Sequence, residues 1–401
     1  MHILMISDVY FPRVNGVSTS IKTFRDELIK KGHKVTLIVP DYPDQNYTDD
    51  KDIIRIKSKK VLLDPEDRLM SKSAIKSLGH KLGLKNIDVI HIHTPFVAHY
   101  SGSWLAHALD VPCVESYHTF FEEYLYHYIR FLPHRWLKTA ARWFSRSQCN
   151  SVDRLVVPSS AMYNVLKEYG VKAVTGIIPT GIHSDKFSLG EGSRFRIKYS
   201  IDKDRPVMLY LGRVAHEKNI EFLLYVLEEV KKHVESILMV IAGNGPAVES
   251  LKALAEQLDL NDNVMFIGYL SREQELPDCY AAANVFTFAS RTETQGLVLL
   301  EAMAAGTAVV STAIMGTADV LKDNHGALIA EEDISIFSKK VIRILLNPET
   351  ELLLEQSARQ YAAEWSVERF TNKLCFLYEN VIIEKTEEPF ASGNMLHDLD
   401  A

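Results

Sequence analysis

The chain has 401 residues, about twice the usual domain size, which points to two domains that each bury a core of their own. With 47% hydrophobic and 24% charged residues it is neither disordered, collagenous nor disulfide-stapled, and its four dispersed cysteines, Cys113, Cys149, Cys279 and Cys375, suit a reducing cytosol. The net charge of -7 is unevenly spread: residues 1–190 hold 25 Lys and Arg against 19 Asp and Glu, leaving 20 against 33 for the rest, so the basic half can face an anionic partner or simply carry solvated charge.

The N-terminal run from Met1 reaches Asp8 too soon for a signal peptide or a spanning helix, and the chain opens directly on a strand. The long stretch Val89–Leu109 is free of Asp, Glu, Lys and Arg, but Pro95, Gly102 and its histidines break it into strand and helix. Short apolar runs alternate with helical patterns throughout, as expected of parallel sheets covered on both faces. The first-half strands are predicted at 2–7, 35–39, 89–92, 113–117, 154–157 and 176–178, with helices at 18–31, 97–109, 134–149 and 159–169. The second half restarts the pattern with strands at 207–211, 238–241, 264–267, 285–288, 308–311 and 326–329. Between them, Pro179–Arg205 is rich in Gly, Ser and charge and reads as a linker. The fold class expected is α/β: two doubly wound Rossmann-like domains, 1–187 and 188–365, facing a central cleft. Residues 366–385 are expected to form a helix returning to the first domain, and the acidic 386–401 a tail.

Two segments carry chemistry. Leu211-Gly212-Arg213 to Lys218-Asn219 follows a buried strand and opens a helix, so a permissive glycine, a helix N-terminus and two cations five residues apart make a diphosphate clamp. A surface loop with two solvated cations is the bland alternative. Thr292-Glu293-Thr294-Gln295-Gly296-Leu297 opens another helix, where first-turn amides can meet a sugar or phosphate. Glu301 follows among Leu299, Leu300, Ala302 and Met303, and an acid in so apolar a helix should point at a ligand or a cation. Helix-dipole compensation explains Glu293 better than Glu301.

Arg213, Lys218 and the Glu293-x7-Glu301 pair, together with Asn15-Gly16-Val17 and Ala242-Gly243-Asn244-Gly245-Pro246, resemble the family 4 glycosyltransferases of GT-B fold along nearly the whole chain. The resemblance implies hexosyl transfer from a nucleoside diphosphate sugar with retention of configuration, without a metal or a resident cofactor. It gives Arg213 and Lys218 to the diphosphate, Glu301 to the ribose and Glu293 to a sugar hydroxyl. Gly16 closes over the phosphates, with Gly212, Gly243, Gln295, Gly296 and Leu297 beside the donor, the backbone of Tyr269 and Leu270 meets the base, and His118 contacts the transferred sugar. Taken alone, His118 would pass for an ordinary structural histidine.

His93-Thr94-Pro95-Phe96, the segment Tyr117 to Tyr124 and the Thr-Glu-Thr-Gln-Gly variant are similar to bacterial diacylglycerol glucosyltransferases. That likeness implies a glycolipid product at the cytosolic membrane face, UDP-glucose as first guess for the donor, and Tyr117, Phe120 and Glu123 near a lipid acceptor. On a helix at 134–149, Trp136, Leu137, Ala140, Trp143 and Phe144 share one face and Arg135, Lys138, Arg142 and Arg146 the opposite one. Trp136 and Trp143 then suit an anionic membrane surface, with core packing and a solvated basic side as the alternative. The expected location is cytoplasmic, peripheral on the membrane.

Other readings are weaker. His91 and His93 alternate on one strand face as metal ligands would, but no carboxylate cluster accompanies them. Asp202-Lys203-Asp204 mimics a DxD metal motif in a turn, and Gly243-Asn244-Gly245 lacks the third glycine of a dinucleotide fingerprint. A saccharide or carrier-linked saccharide acceptor, a sugar-nucleotide epimerase and a non-catalytic sugar-nucleotide sensor stand as rivals, and no nucleic-acid partner is expected.

Overall fold

A computed structural model describes residues 1–43, 48–60, 68–81, 86–118, 134–173, 176–271 and 274–387. The first sheet contains β1 (His2–Ile6), β2 (Lys34–Pro40), β3 (Ile53–Ile56), β6 (Val89–Ile92), β7 (Cys113–Ser116), β8 (Arg154–Val157) and β9 (Gly176–Ile177), all parallel, in the order β3-β2-β1-β6-β7-β8-β9. A small antiparallel pair, β4 (Ser58–Lys60) and β5 (Arg68–Met70), lies outside it. The second sheet runs β12-β11-β10-β13-β14-β15, again all parallel, from β10 (Val207–Leu211), β11 (Leu238–Ala242), β12 (Val264–Gly268), β13 (Val285–Phe288), β14 (Ala308–Ser311) and β15 (Ala327–Ile329). Strand order reverses between β1 and β6 and between β10 and β13, and at such switch points the loops diverge to leave a crevice for a ligand.

The strands are continuous apolar runs because helices cover both faces. Ile3, Leu4, Met5 and Ile6 of β1 are fully buried, as are Met208, Leu209 and Tyr210 of β10. The second domain has one core, built around β10, β11, β13 and β14 and closed by Phe337, Val341 and Ala358. In the first domain, Ile3, Ile21 and Leu28 pack with Phe370, Leu374, Tyr378 and Val381 of the C-terminal helix Val367–Glu387. That helix therefore lies on the opposite domain from the one that precedes it.

Two sequence expectations change here. Pro179–Arg205 is not a free connection: it holds helices Ser184–Ser188 and Gly192–Lys198, which bury Phe187 and Phe195 in the second core. Ile182, just before these helices, also packs in the second core. The sequence pattern missed β3, β4, β5 and the helix Lys72–Lys81, which lie in a charged stretch of short runs. Residues 388–401, most of the expected tail, fall outside the described residues, while Thr386 and Glu387 end the last helix.

Candidate active site

A cleft of about 430 Å³ opens between the carboxyl ends of the two sheets and is lined from both domains. On the second domain, the buried Tyr210 donates its hydroxyl to the Arg213 carbonyl at 2.9 Å and so anchors the loop after β10. The loop after β11 presses against it: Val214 N–H donates to the Asn244 carbonyl at 3.0 Å, and Gly243, at φ +130°, approaches Gly212 so closely that a Cβ would lie 1.9 Å from the Gly212 oxygen. Only glycine fits there. Arg213 and Lys218 then reach the cleft from a fixed backbone, and the Lys218 ammonium is ion-paired with Glu293.

Glu293 comes from the loop after β13, on the other side of the switch point. Gly296, at φ +93°, caps the helix Leu297–Ala305, whose first amides have no acceptor within the helix and border the cleft. Glu301 sits one turn in, is 2% exposed, and accepts the Tyr280 hydroxyl at 3.0 Å. The sequence asked for a ligand or cation beside this acid; a tyrosine hydroxyl supplies one partner while the side chain still borders the cleft. Gln295 does more than contribute a backbone amide. Its side-chain oxygen accepts from Thr180 N–H at 2.8 Å and its nitrogen donates to the Thr180 carbonyl at 2.7 Å, while Thr180 shares a 2.7 Å hydroxyl contact with Ser20.

The first domain contributes the helix Gly16–Lys30, begun by a capping box in which Asn15 accepts from Ser18 N–H at 2.8 Å and Ser18 Oγ accepts from Asn15 N–H at 2.9 Å. Arg13, Asn15, Gly16 and Val17 line the cleft, so a second helix N-terminus and a third arginine or lysine face the same space as Arg213 and Lys218. His118 follows β7, is partly buried, and lines the cleft, with Thr294 Oγ1 donating to its carbonyl at 3.1 Å. Burial depresses its pKa to about 4, so its imidazole is neutral near pH 7.

The cleft thus gathers His118, Gly16, Gly212, Arg213, Lys218, Gly243, Tyr269, Leu270, Glu293, Gln295, Gly296, Leu297 and Glu301. Tyr117 is a correction: it is 5% exposed, in a core cluster with Ala141 and Leu155, with its hydroxyl 2.8 Å from Ser145 Oγ, so it is not an acceptor surface. Phe120 and Glu123 lie outside the described residues. Trp136 and Trp143 are 73% and 71% exposed, because the helix His134–Cys149 buries Ala141, Ser145, Gln148 and Cys149 instead. Core packing of the two tryptophans is therefore excluded. His91 is a core residue, its Nδ1 2.5 Å from the Tyr378 hydroxyl and its Nε2 2.8 Å from Ser116 Oγ, which leaves no nitrogen for a metal. Asp202-Lys203-Asp204 is a turn, closed by Asp204 N–H donating to Asp202 Oδ1 at 2.8 Å, with Lys203 and Asp204 exposed. Sequence reasoning missed Arg13 and Thr180; Arg13 sits two residues before the Asn15 cap, which was its available signal.

Two facing Rossmann-like domains with a cation-rich cleft at their switch points define the GT-B class. Residues 14–186 match the model of Glycosyltransferase Family 4 and residues 193–362 that of Glycosyl transferases group 1. The chain is 34% identical over 316 residues to the alpha-monoglucosyldiacylglycerol synthase of Streptococcus pneumoniae, covering 78% of this chain and 71% of the relative. It is 25% identical over 392 residues to the enzyme of the same name from Acholeplasma laidlawii, covering 95% and 98%. The sucrose-phosphate synthase structure from Thermosynechococcus elongatus shares the fold with a TM-score of 0.78 at 20% identity, covering 96% of this chain and 99% of that one. The chain belongs to the family 4 glycosyltransferases, and these matches lend no support to an epimerase.

Proposed function

We propose that the protein moves glucose from a nucleoside diphosphate glucose, with uridine the base to test first, to a lipid hydroxyl such as that of diacylglycerol, with retention and without a metal. The observation that carries this reading is the convergence in one cleft of Arg213, Lys218, Glu293, Glu301 and His118, drawn from both domains. The names of the two relatives, both alpha-monoglucosyldiacylglycerol synthases, support glucose, an α linkage and the lipid acceptor.

Arg213, Lys218 and the two helix N-termini hold the diphosphate and stabilise the charge that grows on it as the glycosidic bond breaks. Lys218 and Glu293 satisfy each other across the switch point of the second sheet, and a donor takes over both groups, the phosphate meeting the ammonium and a sugar hydroxyl the carboxylate. Glu301 receives the ribose hydroxyls. A leaving phosphate oxygen takes the acceptor proton on the face from which it departs, which gives retention. The lipid reaches the cleft from a membrane on which Trp136 and Trp143 rest; among the described residues no helix is long and apolar enough to cross one.

The test is incubation of the purified protein with UDP-glucose and diacylglycerol in vesicles, with and without chelator, followed by proton NMR of the early product. An α-glucosyl lipid formed at an unchanged rate in chelator is expected. A β linkage, abolition by chelator with rescue by magnesium, or equal glucosylation of soluble saccharides would each overturn the corresponding part of the reading.

A further inference from the structure

His91 of β6 and His93, the first residue past it, whose N–H donates to the Ile6 carbonyl at 3.0 Å, are two residues apart with ring centroids 4.1 Å apart. His91 has both nitrogens engaged, by Tyr378 and Ser116. His93 differs: it is 1% exposed, its Nδ1 lies 3.4 Å from Nε2 of His118, and its own Nε2 is buried with no partner among the described residues. The rings of His93 and His118 are nearly parallel, at 16°, with centroids 5.7 Å apart, so the two nitrogens meet side by side.

We propose that His93 is a positioning residue that fixes His118 in the tautomer with its hydrogen on Nδ1, presenting an N–H donor to a ligand in the cleft. Burial keeps both imidazoles neutral, so each ring carries one N–H and one lone pair. One hydrogen must lie between His93 Nδ1 and His118 Nε2, because two would clash and none would oppose two lone pairs. If His118 supplied it, the hydrogen of His93 would be on Nε2, an N–H buried without an acceptor. If His93 supplies it, the partnerless atom is only a lone pair, which is the more readily tolerated orphan. His93 therefore donates, His118 Nε2 accepts, and His118 keeps its hydrogen on Nδ1, the ring nitrogen left for the ligand. Thr294, by holding the His118 carbonyl, limits the backbone movement that would let the ring turn away.

The ligand chemistry that matches such a donor is an oxygen, from a sugar hydroxyl or a phosphate, and that part rests on the proposed donor site. The tautomer does not. It is read by long-range proton–nitrogen correlation on protein labelled with ¹⁵N-histidine, the His118 signals being assigned by their loss in His118→Asn. The wild type should show His118 with its hydrogen on Nδ1. His93→Leu should move His118 toward the Nε2 tautomer and lower kcat about tenfold or more, while the Kd for UDP holds. His93→Asn, whose amide nitrogen takes the place of Nδ1, should restore both the tautomer and most of kcat. A wild-type His118 with its hydrogen on Nε2 overturns the proposal even if His93→Leu does not fold, as does a tautomer unchanged in that variant. A tautomer that shifts as expected in a protein that transfers no glucose sustains the His93 role and removes the proposed function instead.

Discussion

At the scale of single residues, the cleft depends on charges held by a backbone with little freedom. Arg213→Ala or Lys218→Ala should lower turnover about a hundredfold, on the order of 3 kcal/mol, because each removes a preorganised charge from a leaving diphosphate. Steady-state kinetics check this, and full activity in the double variant would defeat the assignment. Gly243→Ala should destabilise the second domain by about 1–3 kcal/mol in a denaturant titration, since the new Cβ meets the Gly212 carbonyl rather than a flexible side chain and the φ of +130° is unfavourable for alanine. Unchanged stability would mean the two loops separate easily. Arg213, Lys218, Glu293 and Glu301 were legible because their charge stands out against apolar or glycine-rich surroundings. The clamp of Gln295 on Thr180 was not, since it joins residues 115 positions apart and leaves no local pattern. Tyr117 was misread for a related reason: the residue just past β7 turns into the core beside Ser145, a direction that neighbouring motif residues do not reveal.

Among the elements, the helix His134–Cys149 shows where periodicity stops. Its aromatic and basic faces could be drawn from the sequence, but which face was covered depended on what it met. Ala141, Ser145, Gln148 and Cys149 meet the core, Arg142 lies over the Tyr169 ring at 5.2 Å, and the two tryptophans are left outside. Trp136 and Trp143 are seven positions apart, two turns along one side, so both can enter an interface together. The wild type should therefore float with anionic vesicles at low salt, less so at high salt as screening sets in, and the Trp136→Ala, Trp143→Ala variant should float weakly at either. Equal flotation of both proteins would place the membrane contact elsewhere. The buried parallel strands of both sheets could be read as plain apolar runs, whereas β3, β4 and β5 are short and only partly covered, and their pairing partners alone define them.

For the whole molecule, the halves are joined by more than one chain crossing. Gln295 holds Thr180, Ser160 contacts Asp319, and the last helix packs Tyr378 against His91 at the centre of the first sheet. That last contact belongs to a group of buried imidazoles that makes stability depend on pH. Burial lowers the pKa of His91 to about 3 and of His118 to about 4, and holds His93 well below its usual 6.5. As pH falls through 6.5 the unfolded chain takes up protons that the folded chain refuses, so these three groups favour folding above 6.5 and lose that contribution progressively below it. Asp8 acts in the opposite sense: burial raises its pKa from 3.8 to about 6, so between those values the folded chain binds the proton and gains stability as pH falls. Three histidines against one carboxylate leave a net loss on acidification between pH 6 and pH 4, each proton contributing up to about 1.4 kcal/mol per pH unit. Denaturant midpoints measured from pH 7 to pH 4.5 should fall, and more steeply in Asp8→Asn, where the opposing carboxylate no longer titrates. A flat profile would show that the three imidazoles protonate in the folded protein without loss of packing.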